Sequence, residues 1–287
     1  MRKIILKEKR EKTFIQDEEQ NITSLQNEKV KNVVKLRQRA HRDEQGLLIV
    51  EGERELQCAL KNNRRPVGLF YCRDFFVGKN ESALISQCRA AGAEVISCAP
   101  PVFAKMAYRE RPEGLLALVP QVKRDLSGLK LSDSPLLVVA EAIEKPGNLG
   151  TILRSADAAG ADAVIVCDHC TDINNPNVVR ASIGAIFAVP VVETSSEETV
   201  KWLRAQKIRI LAASPHANLA YTRADLRRPT AVVVGEEQRG LSALWMKAAD
   251  LQVRIPMRGQ IDSLNVAAAT TLLLFEAARQ RGKEDHA

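Results

Sequence analysis

From Val30 onward, short apolar runs alternate with amphipathic stretches and with clusters of Gly, Pro, Asn and Asp, the pattern of strands and helices joined by turns. Residues 47–50, 67–72 and 94–98 read as strands, and residues 53–61 and 82–91 as helices, the second closed by Gly92. Residues 122–135, which include Asp125, Gly128, Asp133 and Pro135, have the composition of a linker. The alternation then resumes, with strands expected near 136–140, 162–166, 187–192, 208–213, 230–234 and 251–255. Asn148 is positioned to cap the first intervening helix and Gly160 to stop it, Asn175-Pro176 opens a second, and Ser242 opens a third. A last helix from Leu264 places Leu264, Ala268, Thr271, Leu272, Phe275 and Ala278 on one face, expected to point at the core. The predicted fold is α/β: a doubly wound parallel sheet preceded by a smaller N-terminal α/β domain. The expected division is an N-terminal extension at 1–30, a first domain at 31–121, a linker at 122–135 and a second domain at 136–287.

Three of the predicted strands deliver the chain into loops rich in glycine and polar groups. These are Glu144-Lys145-Pro146-Gly147-Asn148-Leu149-Gly150, Gly235-Glu236-Glu237-Gln238-Arg239-Gly240-Leu241, and Ile255-Pro256-Met257-Arg258-Gly259-Gln260-Ile261-Asp262-Ser263-Leu264-Asn265. Parallel strands end on a common edge of their sheet, so the three loops can line one pocket. A Rossmann-type nucleotide site would show Gly-x-Gly after the first strand, and none occurs here.

Composition sharpens the range of partners. The formal charge of the 287 residues is +7, which favours a polyanion, since neutralising phosphates releases counterions. Residues 29–42 carry Lys29, Lys31, Lys35, Arg37, Arg39 and Arg42 with no acid among them, either an RNA-facing stretch or a solvated helix face. The apolar runs fall short of a membrane span and charge interrupts the first residues too early for a signal peptide, so no membrane partner and a cytoplasmic location are expected. Six cysteines lack disulfide-framework spacing and are expected to be reduced. Cys167-Asp168-His169-Cys170 lacks the further ligands of a zinc site, so no metal is expected.

The three loops carry more specific information. Asn148-Leu149-Gly150-Thr151-Ile152-Leu153-Arg154, Gly235-x-Glu237-x-x-Gly240-Leu241, and Ile255-Pro256-Met257-x-Gly259 with Ser263-Leu264-Asn265-Val266 resemble, in order and spacing, the three motifs of the SpoU-type (TrmH-like) 2′-O-ribose RNA methyltransferases of the SPOUT superfamily. The similarity is strong over residues 136–282 and looser over 31–120, where Val50-Glu51-Gly52-Glu53-Arg54-Glu55-Leu56 resembles a segment of the ribosomal-protein-like substrate-binding domain that many such enzymes carry. The resemblance does not extend to residues 1–30.

That resemblance implies a C-terminal trefoil knot, a homodimer, and S-adenosylmethionine held by Gly235, Ile255 and Leu264. It assigns Arg154 the central catalytic part, with Asn148 orienting it, Glu237 fixing a polar network, and Ser263 and Asn265 donating hydrogen bonds. A guanidinium stays protonated, so Arg154 is read as a phosphate ligand and a stabiliser of developing alkoxide charge. Lys35, Arg37, Arg39 and Arg180 are the expected RNA contacts. Ordinary readings compete, with Asn148 and Ser263 as helix caps and Arg180 as half of a salt bridge. The implied activity is 2′-O-methylation of structured RNA, ribosomal before transfer RNA. A non-catalytic RNA-binding or ribosome-assembly factor of the same fold is the alternative.

Overall fold

The computed structural model describes residues 20–168 and 171–282. The first part comprises β1 (Asn21–Ile22), α1 (Glu28–Lys35), α2 (Arg39–Gln45), β2 (Leu47–Glu51), α3 (Glu53–Lys61), β3 (Gly68–Tyr71), α4 (Glu81–Ala90), β4 (Glu94–Cys98), α5 (Pro100–Met106) and β5 (Leu115–Pro120). Its strands form one mixed sheet in the order β1-β4-β3-β5-β2, with β5 antiparallel to both of its neighbours.

The remainder comprises β6 (Leu136–Glu141), α6 (Pro146–Ala158), β7 (Ala163–Cys167), α7 (Pro176–Ala181), α8 (Ala185–Ala188), β8 (Val191–Thr194), α9 (Ser196–Ala205), β9 (Arg209–Ala213), β10 (Leu219–Ala220), β11 (Thr230–Val234), α10 (Ala243–Ala248), β12 (Leu251–Arg254) and α11 (Val266–Gln280). Its sheet is entirely parallel, ordered β10-β12-β9-β11-β6-β7-β8. The α/β fold with a parallel sheet is therefore as the pattern predicted.

Strand periodicity explains the layering. Along β6, Leu136, Val138 and Ala140 face a core that also holds residues of α6 and α11, whereas Leu137 and Val139 face Leu203 of α9 and Trp245 of α10. A strand buried on both faces must read as an unbroken apolar run, and Leu136-Leu137-Val138-Val139-Ala140 does. The first of these cores continues into the mixed sheet through Leu48, Val50, Leu69, Tyr71 and Ala117. The two sheets thus share apolar packing, and residues 122–135 do not hang free: Val122 is buried, and Leu126, Leu129 and Leu131 lie against the second core.

Four expectations are corrected. The strand expected at 187–192 is α8 followed by β8, because Gly184 turns the chain at φ 81° and Phe187 is buried in a helical turn; a short apolar run looks the same in either state. Asn148 is not a cap: α6 begins two residues earlier, at Pro146, whose fixed φ suits a first helical position. The last helix starts at Val266, with Asn265 as its cap, so Ser263 caps nothing. Its buried face is Val266, Ala267, Thr270, Leu273, Leu274 and Ala277, while Leu264, Leu272 and Phe275 are exposed, the opposite of the expected stripe. The helix is apolar almost all round, so periodicity could not choose its face.

Candidate active site

Because β6, β11 and β12 run parallel, the segments that follow them emerge at one edge of the sheet. There Asn148 of α6 donates from Nδ2 to Glu237 Oε1. Asn265 donates from Nδ2 to Asn148 Oδ1 at 3.1 Å and to Glu237 Oε1 at 3.2 Å. One residue from each predicted loop thus joins a single network. Lys145 Nζ completes it at 2.6 Å from Glu237 Oε2, and this hydrogen bond, with the carboxylate charge, holds the ammonium above its ordinary pKa. Asn265 meanwhile accepts from the amides of Ala267 at 3.0 Å and Ala268 at 3.4 Å, so one side chain caps α11 and ties the loops. Ile143, Lys145, Asn148, Glu236, Glu237 and Gln238 line a small cleft of about 40 Å³ here.

Arg154 lies two turns further along α6, exposed and without a hydrogen-bond or ion-pair partner among the described residues. Asn148 does not reach it; its amide is committed to Glu237 and Asn265. Ser263 also stays outside the network, donating to its neighbour Asp262 at 3.1 Å. Gly235 is buried where β11 ends, and a Cβ there would stand 2.6 Å from the Gly240 carbonyl carbon and 2.8 Å from the Leu241 nitrogen. Ile255 is half-buried at the end of β12, and Leu264 is exposed one residue before the α11 cap. Glycine at 235 lets the loop after β11 fold back onto itself at Gly240 and Leu241, and the two aliphatic side chains can flank an adenine, so the set fits the cofactor that the motifs imply.

The basic stretch is mostly engaged within the molecule. Arg37 donates to the carbonyls of Lys105 at 2.9 Å and Ala107 at 2.6 Å, closing the C-terminus of α5. Arg39 pairs with Asp43, and Arg42 is buried. Lys35 and Arg180 remain exposed. Sequence reasoning overlooked Arg54 and Arg111, which with Arg180 line a groove of about 1030 Å³ that also holds Glu53, Glu55, Glu110 and Glu113; the three arginines lack hydrogen-bond or ion-pair partners among the described residues. No periodicity or motif marks them, since convergence of α3, the β5 approach and α7 is a tertiary event. Cys167 is buried and donates or accepts at 3.1 Å with Thr199, and burial pushes its thiol up to about 12. His169 and Cys170 lie outside the described residues.

A parallel-sheet α/β fold that brings three polar loops to one sheet edge, with an exposed arginine on the helix that follows the first of them, defines the frame of a ligand-binding site. Residues 135–275 match the SpoU rRNA Methylase family, and residues 27–117 match the MRM3-like substrate binding domain. The 23S rRNA (uridine(2479)-2′-O)-methyltransferase of Streptomyces viridochromogenes is 32% identical over 250 residues, covering 85% of this chain and 86% of that protein. A crystal structure of an RNA 2′-O ribose methyltransferase superposes with a TM-score of 0.81 at 39% identity, covering 91% of this chain and 99% of the other. The AdoMet-bound rRNA methyltransferase of Sinorhizobium meliloti superposes with a TM-score of 0.83 at 31% identity, over 91% and 97% of the two chains. The chain belongs to the SpoU family of RNA 2′-O-ribose methyltransferases, whose methyl donor is S-adenosylmethionine.

Proposed function

We propose that this chain methylates the 2′-hydroxyl of one ribose in ribosomal RNA. The observation that carries the reading is the Asn148–Glu237–Asn265 network, which gathers all three motif loops at one sheet edge, with Arg154, unpartnered among the described residues, further along α6. The ribosomal target follows the relatives, which include enzymes named for 23S rRNA. S-adenosylmethionine would supply the methyl as a sulfonium: the S–CH3 bond would break with its electron pair staying on sulfur as the O–C bond forms, and the hydroxyl proton would pass to solvent water. Gly235, Ile255 and Leu264 hold the cofactor. Arg154 grips the adjacent phosphate and stabilises charge on the attacking oxygen. Asn148, Glu237 and Asn265 fix the loops around them, and Ser263 adds a hydrogen bond to substrate. Incubating a 23S rRNA transcript with radiolabelled S-adenosylmethionine, then mapping 2′-O-methyl sites in RNA from cells with and without the gene, tests this. No labelled transcript and no lost site would leave the chain an RNA-binding factor.

Residues 31–121, joined by β1 and the first turn of α1, act as the substrate-binding domain and 136–287 as the methyltransferase domain. Lys35 and Arg180, with Arg54 and Arg111, offer the exposed cations for RNA phosphate; Arg37 and Arg39 contribute less, being engaged internally. The segment from Ile255 to Asn265 forms the trefoil knot. Strand order supports this: β12 lies beyond β9 from β11, yet α11 returns to pack on β11 and α6.

The exposed apolar pair of Leu272 and Phe275 on α11 supports a homodimer with Arg154 near its boundary. Sedimentation should find a dimer, and Phe275→Glu should yield an inactive monomer; a fully active monomer would remove the dimer from the mechanism.

Asn265 separates capping from catalysis. Asn265→Asp keeps the oxygen that caps α11, loses the Nδ2 donor and sets a charge against Glu237. Thermal stability should change little, since capping by Asp and Asn differs by under about 1 kcal/mol. Methyl transfer should fall on the order of 10- to 100-fold, the worth of a hydrogen bond to a charged group. Equal losses in stability and rate would make Asn265 a cap only.

A further inference from the structure

The most buried charge pair joining the two sheets among the described residues lies outside the three motif loops. Arg42 of α2 is 1% exposed and Asp172, in the segment between β7 and α7, is 9% exposed. Arg42 Nη2 donates to Asp172 Oδ2, while Nη1 donates to the carbonyls of Leu36 at 2.9 Å and Arg37 at 2.8 Å. Asp172 Oδ1 accepts from the Asn174 amide at 2.8 Å. The Asn174 side chain in turn bonds both backbone groups of Val122, Oδ1 accepting at 2.8 Å and Nδ2 donating at 3.2 Å. Asn177 Nδ2 reaches Tyr108 Oη at 3.1 Å. Thus Asp172 and Asn177 grip the substrate-binding unit, and Asn174 grips the first residue of the segment that leaves it.

The other side of the same segment meets the catalytic loops. Thr171 Oγ1 donates to the Glu144 carbonyl, next to Lys145, which pairs with Glu237. Ala181 packs on Gly150 of α6 so closely that a Cβ on Gly150 would stand 2.9 Å from the Ala181 carbonyl carbon and the Ser182 nitrogen. Gly150 sits between Asn148 and Arg154 on that helix.

We infer that Arg42 and Asp172 are positioning residues for methyl transfer: through residues 171–182 they fix where RNA held by the N-terminal unit lies relative to Asn148 and Arg154. This rests on the methyltransferase reading above. A buried ion pair is a weak source of net stability, because desolvation offsets most of its attraction, but it admits one geometry. Reaction rates are sensitive to such geometry, since a displacement of about 1 Å can cost about 100-fold.

The test neutralises both partners together, in Arg42→Met/Asp172→Asn, so that no charge is left buried alone. A second variant, Thr171→Val, removes only the hydroxyl at Glu144 and preserves shape. Each is compared with wild type in single-turnover methylation of a 23S rRNA transcript with both ligands saturating, normalised to active sites counted by calorimetric titration with S-adenosylmethionine. The expected result is a rate lowered on the order of 10- to 100-fold in the double variant, and in the same direction for Thr171→Val, with cofactor and RNA affinities within about twofold. Combining all three changes should give less than the product of the separate losses, because they act on one path. Wild-type rates per active site in Thr171→Val and in whichever variants fold would overturn the inference, as would a loss confined to RNA affinity. No transfer by the wild-type chain would instead sink the methyltransferase reading.

Discussion

Replacing Arg154 by alanine should lower single-turnover methyl transfer by on the order of 10²–10³, the usual consequence of removing one donor aimed at developing negative charge. Cofactor affinity should hardly change, because Arg154 stands on α6, outside the loops at Gly235 and Ile255. Its exposure and its lack of a partner among the described residues mean that little folding stability is at stake. The loss is then attributable to the transition state. Arg154→Lys should be severely impaired as well, since an ammonium keeps the charge but not the planar fork that can hold phosphate and hydroxyl together. Near wild-type turnover in both variants, measured with saturating RNA and S-adenosylmethionine, would remove Arg154 from the chemistry.

The second large effect concerns the cofactor. Gly235→Val would drive a branched side chain into the backbone of Gly240 and Leu241 across the turn that follows β11. Neither neighbour is a flexible side-chain end, so the loop must move. Overpacking of this kind typically costs about 1–3 kcal/mol, which corresponds to an affinity loss of about 5- to 150-fold if the strain falls on the bound geometry. Calorimetric titration should show that loss, while circular dichroism retains the signature of the sheet, because the change lies beyond the end of β11. Unchanged affinity with an intact fold would place the cofactor away from Gly235.

Several features of this protein follow from local chemistry alone. The strands β6, β7, β9 and β11 are apolar on both faces, so their positions and their parallel arrangement were legible as runs bounded by turn residues. Asn175 before Pro176 marked the start of α7, and the Asn175 side chain does cap it, accepting from the Asn177 amide. The three motif loops pointed to the chemistry through their resemblance to those of the SpoU-type enzymes, a resemblance carried by runs of a few residues each.

Other features depend on what the chain meets after folding. Apolar residues surround α11, and only packing against α6 and β11 decided that Leu273 and Leu274 face inward while Leu272 and Phe275 face out. Arg37 and Arg42 belong to one basic run, yet one closes the end of α5 and the other is buried against Asp172, 130 positions away. A charge pattern in sequence cannot distinguish a solvated lysine from an arginine whose hydrogen bonds are satisfied by distant carbonyls. Asn148 stood out in the sequence as a candidate, but its partners did not: its side chain points to Glu237 and Asn265 because the parallel sheet brings the ends of β6, β11 and β12 to one edge. Sequence fixes which groups are present and where the chain can turn, whereas long-range pairing decides which of those groups meet, because hydrogen bonds and burial act through distances that separation along the chain does not record.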